Sequence, residues 1–243
     1  MSYEEPRFLA GGDKAIFIEF GDAIDLQLNC RVRKFKLTIE KARIPGVIET
    51  VPTYRSLLVY FEPQQISIQE LQKALCSLMQ PQVERELLKP KLIWIPTVYG
   101  GEYGPDISFV AAHNNLSVSE VIQIHTSTSY PIYMIGFIPG FPYLGGMSPG
   151  IATPRLETPR AKIPAGSVGI AGNQTGIYPA ESPGGWRLIG RTPLQLFDPS
   201  REPSALLQAG DYLKFVSITP EEFTNIKESV ANGTYSVKET IME

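Results

Sequence analysis

The chain has 243 residues, of which 43% are hydrophobic and 19% are charged, and 22 Lys and Arg against 25 Asp and Glu leave a net charge of −3. A chain of this composition and length is expected to be soluble and to fold without a structural metal or disulfides. Cys30 and Cys76 have no partners at metal-ligand spacing, and no basic, apolar leader opens the sequence, so we expect a cytosolic protein. The longest apolar runs fall far short of the ~20 residues of a membrane span, which excludes a membrane protein.

The first 90 residues show the periodicity of an α+β domain. Alternation over 15–20 predicts a strand, which is followed by a helical stripe with Asp22 as its N-cap. Runs 47–53 and 56–61 predict two strands, and Ser67 with Glu70 forms a capping box that opens a second helix. The stripe consists of Ile24, Leu28, Val32, Phe35 and Ile39. With a further strand at 92–99, the order strand, helix, strand, strand, helix, strand predicts a ferredoxin-like arrangement.

The proline-bounded stretch 81–90 marks a domain boundary, giving domains 1–90 and 91–243. The strand at 92–99 could belong to either side of this boundary. In the second domain, Ser117 and Glu120 form another capping box, with His125 in the last turn of its helix. Residues 131–197 contain 12 Gly and 10 Pro among many apolar side chains. This composition predicts short strands bent into a sandwich or barrel. A strand at 211–218 and a helix from Thr219 to about residue 230 complete the pattern.

Positive charge is concentrated between residues 121 and 197, where five cations face two acids. The cations are Arg155, Arg160, Lys162, Arg187 and Arg191. They are too few for a nucleic-acid surface but sufficient to hold a carboxylate or a phosphate. The alternative is that each is a surface arginine or lysine paired with a nearby acid or carbonyl.

Few residues of the sequence fit a recognised catalytic or cofactor-binding pattern. No phosphate-binding loop of the G-x-x-x-x-G-K type is present, and two histidines make a zinc site improbable. Ser167 is either a turn residue or a nucleophile paired with His125, the acid of such a triad being Glu157, Glu181 or Asp198. His125 is either a base or simply a helix-terminal dipole partner.

The run from Gly136 to Gly146, GFIPGFPYLGG, is the densest feature of the sequence. Glycines permit close backbone approach, prolines restrict the loop, and the aromatic rings offer flat apolar walls. The run therefore predicts either a pocket wall for a small ring-bearing ligand or a barrel end plugged by aromatics. We predict a pocket lined by Phe137, Pro139, Gly140, Phe141, Tyr178 and Trp186.

Several long motifs between residues 99 and 215 strongly resemble the KipI/PxpB family. They are YGG at 99–101 with GPD at 104–106, the run 136–146, PRLETPRAKIPAGSVGIAGNQTGIYP at 154–179 and SPGGWRLIGRTPLQLFDP at 182–199. This family includes the PxpB subunit of bacterial 5-oxoprolinase and the first-subunit domain of allophanate hydrolase. The resemblance implies an α+β amino-terminal domain, of ferredoxin-like type by the pattern above, followed by an all-β cyclophilin-like barrel.

The resemblance also implies an activity and its partners. As an oxoprolinase subunit the chain would act with a homologous barrel subunit (PxpC-like) and a third subunit (PxpA-like) to convert 5-oxoproline to glutamate, ATP being used by the complex. We expect it to be inactive alone, and the sequence offers no identifiable set of metal ligands. The predicted substrate or anion contacts are Arg160, Arg187, Arg191, Gly166, Ser167 and Gln174, with His125 as the candidate base. The alternatives are inhibition of a sporulation histidine kinase and, third, an allophanate hydrolase subunit.

Overall fold

The computed structural model describes residues 1–79 and 89–242. The chain divides into two compact units, Met1–Leu88 and Lys89–Glu243. The predicted boundary between residues 90 and 91 lies beside this division. Of the proline-bounded segment 81–90, residues 81–88 lie outside the described residues.

The first unit is a four-stranded antiparallel sheet with helices packed on one face. Its elements are β1 (Ser2–Ala10), β2 (Ala15–Gly21), α1 (Leu26–Ala42), β3 (Val47–Pro52), β4 (Ser56–Phe61) and α2 (Ile68–Leu78). The strand order is β1-β2-β4-β3. Alternate residues of β2 and β4, such as Ile18 and Leu57, are fully buried against the apolar stripes of both helices. The apolar face of the sheet and the apolar faces of the helices therefore form one core.

The helix starts show how local hydrogen bonding sets the ends of these elements. The capping box of Ser67 and Glu70 is present at α2, as predicted. The predicted N-cap of α1 is wrong, because Asp25 rather than Asp22 accepts a hydrogen bond from the backbone of Leu28, at 3.0 Å. Asp22 instead pairs with the amino terminus, and Ile24 precedes the helix with 60% of its surface exposed.

The predicted ferredoxin-like order of elements is not found in the first unit. The sequence reasoning missed β1, and Lys91–Tyr99, expected as the last strand, lies in the sheet of the second unit. In the predicted arrangement that last strand would have paired with β2. β1 pairs with β2 instead.

The second unit is mostly β-structure with three helices. It contains β5 (Lys91–Tyr99), α3 (Ile107–His113), α4 (Val118–Ser127), β6 (Tyr130–Ile135), β7 (Pro142–Leu144), β8 (Arg160–Ile163), β9 (Ser167–Ala171), β10 (Gln174–Ile177), β11 (Ser182–Gly184), β12 (Arg187–Arg191), β13 (Tyr212–Ser217), α5 (Pro220–Ala231) and β14 (Glu239–Ile241). A short 3-10 helix spans Pro149–Ile151. The predicted capping boxes open α4 and α5.

The main sheet of the second unit curls into a nearly closed barrel. Its strands follow the order β10-β9-β12-β5-β13-β6-β7, and the end strands β10 and β7 contact each other. β5 and β13 pair in parallel, whereas the other neighbours along the path are antiparallel. β8 and β11 form a separate ribbon. The predicted choice between sandwich and barrel is therefore decided in favour of the barrel.

No helix within residues 1–79 and 89–242 is both long and apolar enough to cross a membrane.

Candidate functional site

A partly buried ion pair between Asp106 and Arg160 anchors the site beyond the end of β5. After Tyr99 the chain turns tightly, and an added Cβ at Gly104 would lie 2.0 Å from the carbonyl oxygen of Ile189. This close approach, open only to glycine, brings Asp106 against β12. Asp106 Oδ2 accepts a hydrogen bond from the backbone N–H of Leu188 at 2.7 Å, and Oδ1 pairs with Arg160 Nη2 at 2.8 Å.

Arg160 is held in place but is not fully enclosed. Its side chain is 29% exposed, while that of Asp106 is 11% exposed. A second guanidinium nitrogen, Nη1, lies 3.4 Å from the carbonyl oxygen of Trp186. Because Asp106 fixes one edge of the guanidinium, the remaining donors keep a defined direction, which suits recognition of a carboxylate or phosphate.

The Tyr178 phenol lies within electrostatic range of two of the predicted cations. Burial raises the pKa of its phenol, while a backbone hydrogen bond from Trp186 and the positive charges of Arg155 and Arg160 act in the opposite direction. The hydroxyl therefore stays protonated at neutral pH. Arg155 was recognised in the sequence only as one of five cations, and Asp106 only as part of a motif.

Aromatic rings form a compact cluster behind these polar groups. Phe141 makes edge-to-face contacts with Tyr143, Tyr178 and Trp186, at centroid distances of 5.3 to 5.8 Å. Ile163 and Leu188 complete the buried part of the cluster. Three predicted lining residues, Phe141, Tyr178 and Trp186, are thus brought together. Tyr143 belongs to the same glycine- and proline-rich run, and its ring was counted among the apolar walls but not among the six predicted lining residues.

The loop between β6 and β7 holds the other predicted lining residues. Pro139 and Gly140 occupy the two central positions of a turn closed by the Phe141 N–H to Ile138 O hydrogen bond of 3.0 Å. Gly140 has φ +84°, as a type II turn requires, and an added Cβ would lie 2.8 Å from the Cβ of Phe197. Phe137 contacts Phe141 at 5.8 Å but is 71% exposed, so it projects outward instead of lining an enclosed wall.

The other two predicted arginines have hydrogen-bond partners different from those of Arg160. Arg187 lies over the ring of Phe109 at 3.7 Å and donates to the Pro154 carbonyl at 3.3 Å. Arg191 donates to the Ala165 carbonyl at 2.8 Å. They stand at opposite ends of β12, about 13 Å apart along the strand.

The predicted contacts Gly166, Ser167 and Gln174 lie on the β9–β10 hairpin and the turn that precedes it. Gly166 donates its N–H to the Tyr178 carbonyl at 2.7 Å, and Ser167 begins β9 with 2% of its surface exposed. Gln174 begins β10 opposite Ala171. The turn interpretation of Ser167 therefore fits the structure better than an exposed nucleophile.

His125 does not occupy the position of a base. It is completely buried, and its Nδ1 lies 2.7 Å from the Tyr99 hydroxyl while its Nε2 lies 2.9 Å from Thr175 Oγ1. Thr175 donates its own proton to the Gly169 carbonyl, so its oxygen accepts from Nε2–H, and the Tyr99 hydroxyl donates to Nδ1. With both nitrogens occupied, His125 is not paired with Ser167, and the triad prediction is wrong.

Burial also removes His125 from acid–base chemistry near neutrality. It lowers the pKa of the imidazole to about 3 and raises that of the Tyr99 phenol well above its ordinary value. The rings of Tyr130 and Phe215 pack against the imidazole at 5.5 and 4.3 Å. We therefore assign His125 to the barrel core rather than to catalysis.

Two further features bear on what the chain could bind. Among residues 1–79 and 89–242, no group of three or more His, Cys, Asp or Glu side chains is arranged to hold a metal ion. A cavity of about 430 Å³ lies in the first unit, where its walls include Phe8, Phe35 and Met79. It contains none of the predicted site residues, so we place the candidate site on the barrel, where the charged and aromatic groups meet.

Comparison with known protein families and sequences identifies the family of this chain. The family model described as "Carboxyltransferase domain, subdomain C and D" matches residues 6–207. The chain belongs to this family. Two relatives, each named as the "B" subunit of 5-oxoprolinase, are 46% identical over 89% of this chain and 95% of the Bacillus subtilis protein, and 40% identical over 84% of this chain and 93% of the Escherichia coli O157:H7 protein. Urea amidolyase of Saccharomyces cerevisiae is 24% identical over 93% of this chain but only 14% of its own length.

Solved structures similar to this chain include both a chain of about the same length and longer chains. PH0987 from Pyrococcus horikoshii is 50% identical, with a TM-score of 0.53 over 89% of this chain and all of that one. TTHA0988 is 34% identical, with a TM-score of 0.75 over 85% of this chain and 40% of its own. Urea carboxylase of Kluyveromyces lactis shares the fold at 22% identity, with a TM-score of 0.79 over 99% of this chain and 25% of that chain.

Proposed function

We propose that this chain is the PxpB subunit of an ATP-dependent 5-oxoprolinase, a hydrolase complex that converts 5-oxoproline to glutamate. The observation that supports this most strongly is the 46% identity to the 5-oxoprolinase subunit of Bacillus subtilis, which extends over 95% of that protein. The relatives of Escherichia coli and Haemophilus influenzae with the same name support the same function.

The proposed reaction explains why an anion site and apolar walls would lie together. 5-Oxoproline carries a carboxylate on a small ring whose amide bond must be broken. An unstrained lactam is a poor electrophile at neutral pH, and transfer of the γ-phosphoryl group of ATP to the lactam oxygen would activate its carbonyl carbon for attack by water. The ring C–N bond would then break, with a proton taken up by the nitrogen, to leave γ-glutamyl phosphate, and a second water would hydrolyse that acyl phosphate. In sum, 5-oxoproline, ATP and two waters would give glutamate, ADP and inorganic phosphate.

We assign anion contacts to Arg160, which Asp106 holds in place, and to Arg155, whose charge acts on the Tyr178 phenol. Asp106 acts through Arg160 as a positioning residue, because its carboxylate fixes one edge of the guanidinium. Phe141 and Trp186 form the apolar wall behind these groups. Arg187, Arg191, Gly166, Ser167 and Gln174 remain secondary candidates on the neighbouring strands and turns.

We further propose that the chain is inactive alone and works in the cytoplasm with a homologous barrel subunit (PxpC-like) and a third subunit (PxpA-like). The sequence has no phosphate-binding loop of the G-x-x-x-x-G-K type, so we place ATP binding on the assembled complex. The longer relatives support this arrangement, since this chain matches 40% of TTHA0988. The barrel would be of the cyclophilin-like type, and the first unit a variant of the ferredoxin-like type with β1 at its edge.

The test is ATP-dependent glutamate release from 5-oxoproline by this chain mixed with both candidate partner subunits, compared with the same mixture lacking this chain. Activity only in the complete mixture would support an obligatory subunit. No activity in a mixture that an active relative of this chain rescues would overturn the proposal. Sensor-kinase autophosphorylation would then be the next assay.

A further inference from the structure

The loop that carries Phe137 combines two unfavourable features. The residue has φ +61°, a conformation that is uncommon for any residue other than glycine, and its ring is 71% exposed. The N–H of Ile138 is 2.8 Å from the carbonyl oxygen of Gly136, which closes a three-residue turn around Phe137. A γ-turn with positive φ at its centre is rare and strained. Strain of this kind persists where the surrounding structure imposes it, and it is concentrated at functional sites.

The surrounding structure does impose this conformation. The Gly136 N–H donates to the Phe141 carbonyl at 3.0 Å, and the adjoining turn is fixed by Pro139 and by Gly140 packed against Phe197. Behind the loop, Phe141 belongs to the buried aromatic cluster and supports the Phe137 ring edge to face. The exposed ring is thus presented on a rigid base.

The loop that carries Phe137 has no charged residue, and its neighbours include a methionine and an aromatic side chain. The sequence has no Asp, Glu, Lys or Arg between residues 121 and 154, and Met134 and Tyr143, both partly exposed, flank Gly136. Depletion of charge around aromatic and methionine side chains marks the centre of an interface, whereas small-molecule sites are concave and enclose their ligands. A ring exposed to 71% has one face available for a partner to cover.

We infer that Phe137 is the anchor through which this chain docks to the homologous barrel subunit of the complex. This inference depends on the proposed function for the identity of the partner. The choice of a protein subunit is supported by the relatives in which the same fold is continuous with further polypeptide, since this chain matches 40% of TTHA0988 and 25% of urea carboxylase. Rigid aromatic anchors contribute a large share of the binding energy at such interfaces.

The test is a titration of labelled barrel subunit with the full-length chain and with Phe137→Ala and Phe137→Gly. We expect both variants to weaken binding about 30-fold. Phe137→Gly should also unfold at the same temperature as the unaltered chain or higher, because glycine adopts positive φ readily. This result would separate a docking role from a structural one. Phe137→Tyr should bind normally, and Tyr60→Ala, at an aromatic of the first unit that is 39% exposed, is the matched control.

The outcomes separate this inference from the proposed function. Normal binding by Phe137→Ala, in a mixture that releases glutamate, would overturn the anchor and leave the function standing. Equal weakening by Tyr60→Ala would also contradict a specific anchor at Phe137. Failure of the unaltered chain to bind the barrel subunit would overturn the docking inference, whereas the glutamate assay decides the function separately.

Discussion

Arg160 and Asp106 are 54 residues apart in the chain and 2.8 Å apart in the fold, joined by an ion pair whose acid also accepts the Leu188 N–H. The pair connects the turn after β5, the start of β8 and β12. A hydrogen bond to a charged group of this kind contributes more than a neutral one, particularly when its loss leaves a buried donor unsatisfied.

We therefore expect Asp106→Ala to lower the free energy of unfolding by about 2 to 3 kcal/mol, since the Leu188 N–H and the Arg160 guanidinium both lose their acceptor. Denaturant unfolding measures this change. The matched control is Lys162→Ala, which removes the exposed Lys162–Glu181 pair of 3.0 Å and should change stability by less than about 0.5 kcal/mol. Equal effects of the two substitutions would show that the Asp106–Arg160 pair contributes no more to the free energy of unfolding than an exposed pair does.

The buried imidazole of His125 should make the protein sensitive to acid. Its pKa is about 3 in the folded chain against 6.5 in the unfolded one, so only the unfolded chain takes up this proton as the pH falls below about 6.5. Stability from this group is complete above pH 6.5, decreases toward pH 3, and is about 2 kcal/mol lower at pH 5. Denaturant unfolding at pH 7 and pH 5 should show this loss, and His125→Gln should reduce it.

The same variant tests the assignment of His125 to the core. If His125→Gln folds, it should retain glutamate release in the reconstituted mixture, and His113→Gln, at an exposed position, is the control for loss of a histidine. A folded His125→Gln variant without activity would restore the histidine as a candidate in the reaction.

Two glycines of the same turn should respond differently to a methyl group. Gly104→Ala should prevent folding or destabilise the barrel by more than about 3 kcal/mol, because its Cβ would lie 2.0 Å from the Ile189 oxygen and the backbone must move. Gly101→Ala should cost only about 1 kcal/mol, since Gly101 has φ +53° but open space around it. Thermal unfolding of both variants measures the loss of stability. A smaller loss in Gly104→Ala than in Gly101→Ala would contradict the close approach.

Loss of an anion contact should affect substrate binding. We expect Arg160→Ala and Arg155→Ala each to raise the KM for 5-oxoproline about tenfold or more, and Arg191→Ala to have a smaller effect, because Arg191 lies at the far end of β12. Steady-state glutamate release at saturating ATP measures the difference, with Lys162→Ala as the charge control. An Arg160→Ala enzyme with unchanged kinetics would remove Arg160 from the site.

Local signals predicted the elements well where side-chain pattern and capping agree. Ser67, Ser117 and Thr219 each open a helix because their hydrogen bonds involve residues three positions away. β1 was missed because Ser2–Ala10 contains Pro6 and paired acids and has no fully buried side chain, which weakens its alternation. The ferredoxin-like order failed for a related reason, since no local signal shows which sheet the strand at 91–99 joins.

The candidate site was only partly predictable for the same physical reason. Aromatic and glycine-rich runs indicated the cluster around Phe141, but the partner of Arg160 lies 54 residues away in another motif. His125 was the candidate base, yet its burial depends on packing with Tyr130 and Phe215. The exposure of a side chain and the identity of its hydrogen-bond or ion-pair partners depend on the fold. The spacing of residues along the sequence does not specify them.

The parallel pairing of β5 with β13 has a consequence for the order of folding. Leu92 lies opposite Tyr212, so two neighbouring central strands of the barrel come from the start and near the end of the second unit. During synthesis, β13 is made long after β5, near the end of the chain. By contrast, the four strands of the first-unit sheet have all been made by residue 61. We expect the first unit to fold early on the ribosome and the barrel to form late and slowly, because such distant pairing must overcome a large loop-closure entropy.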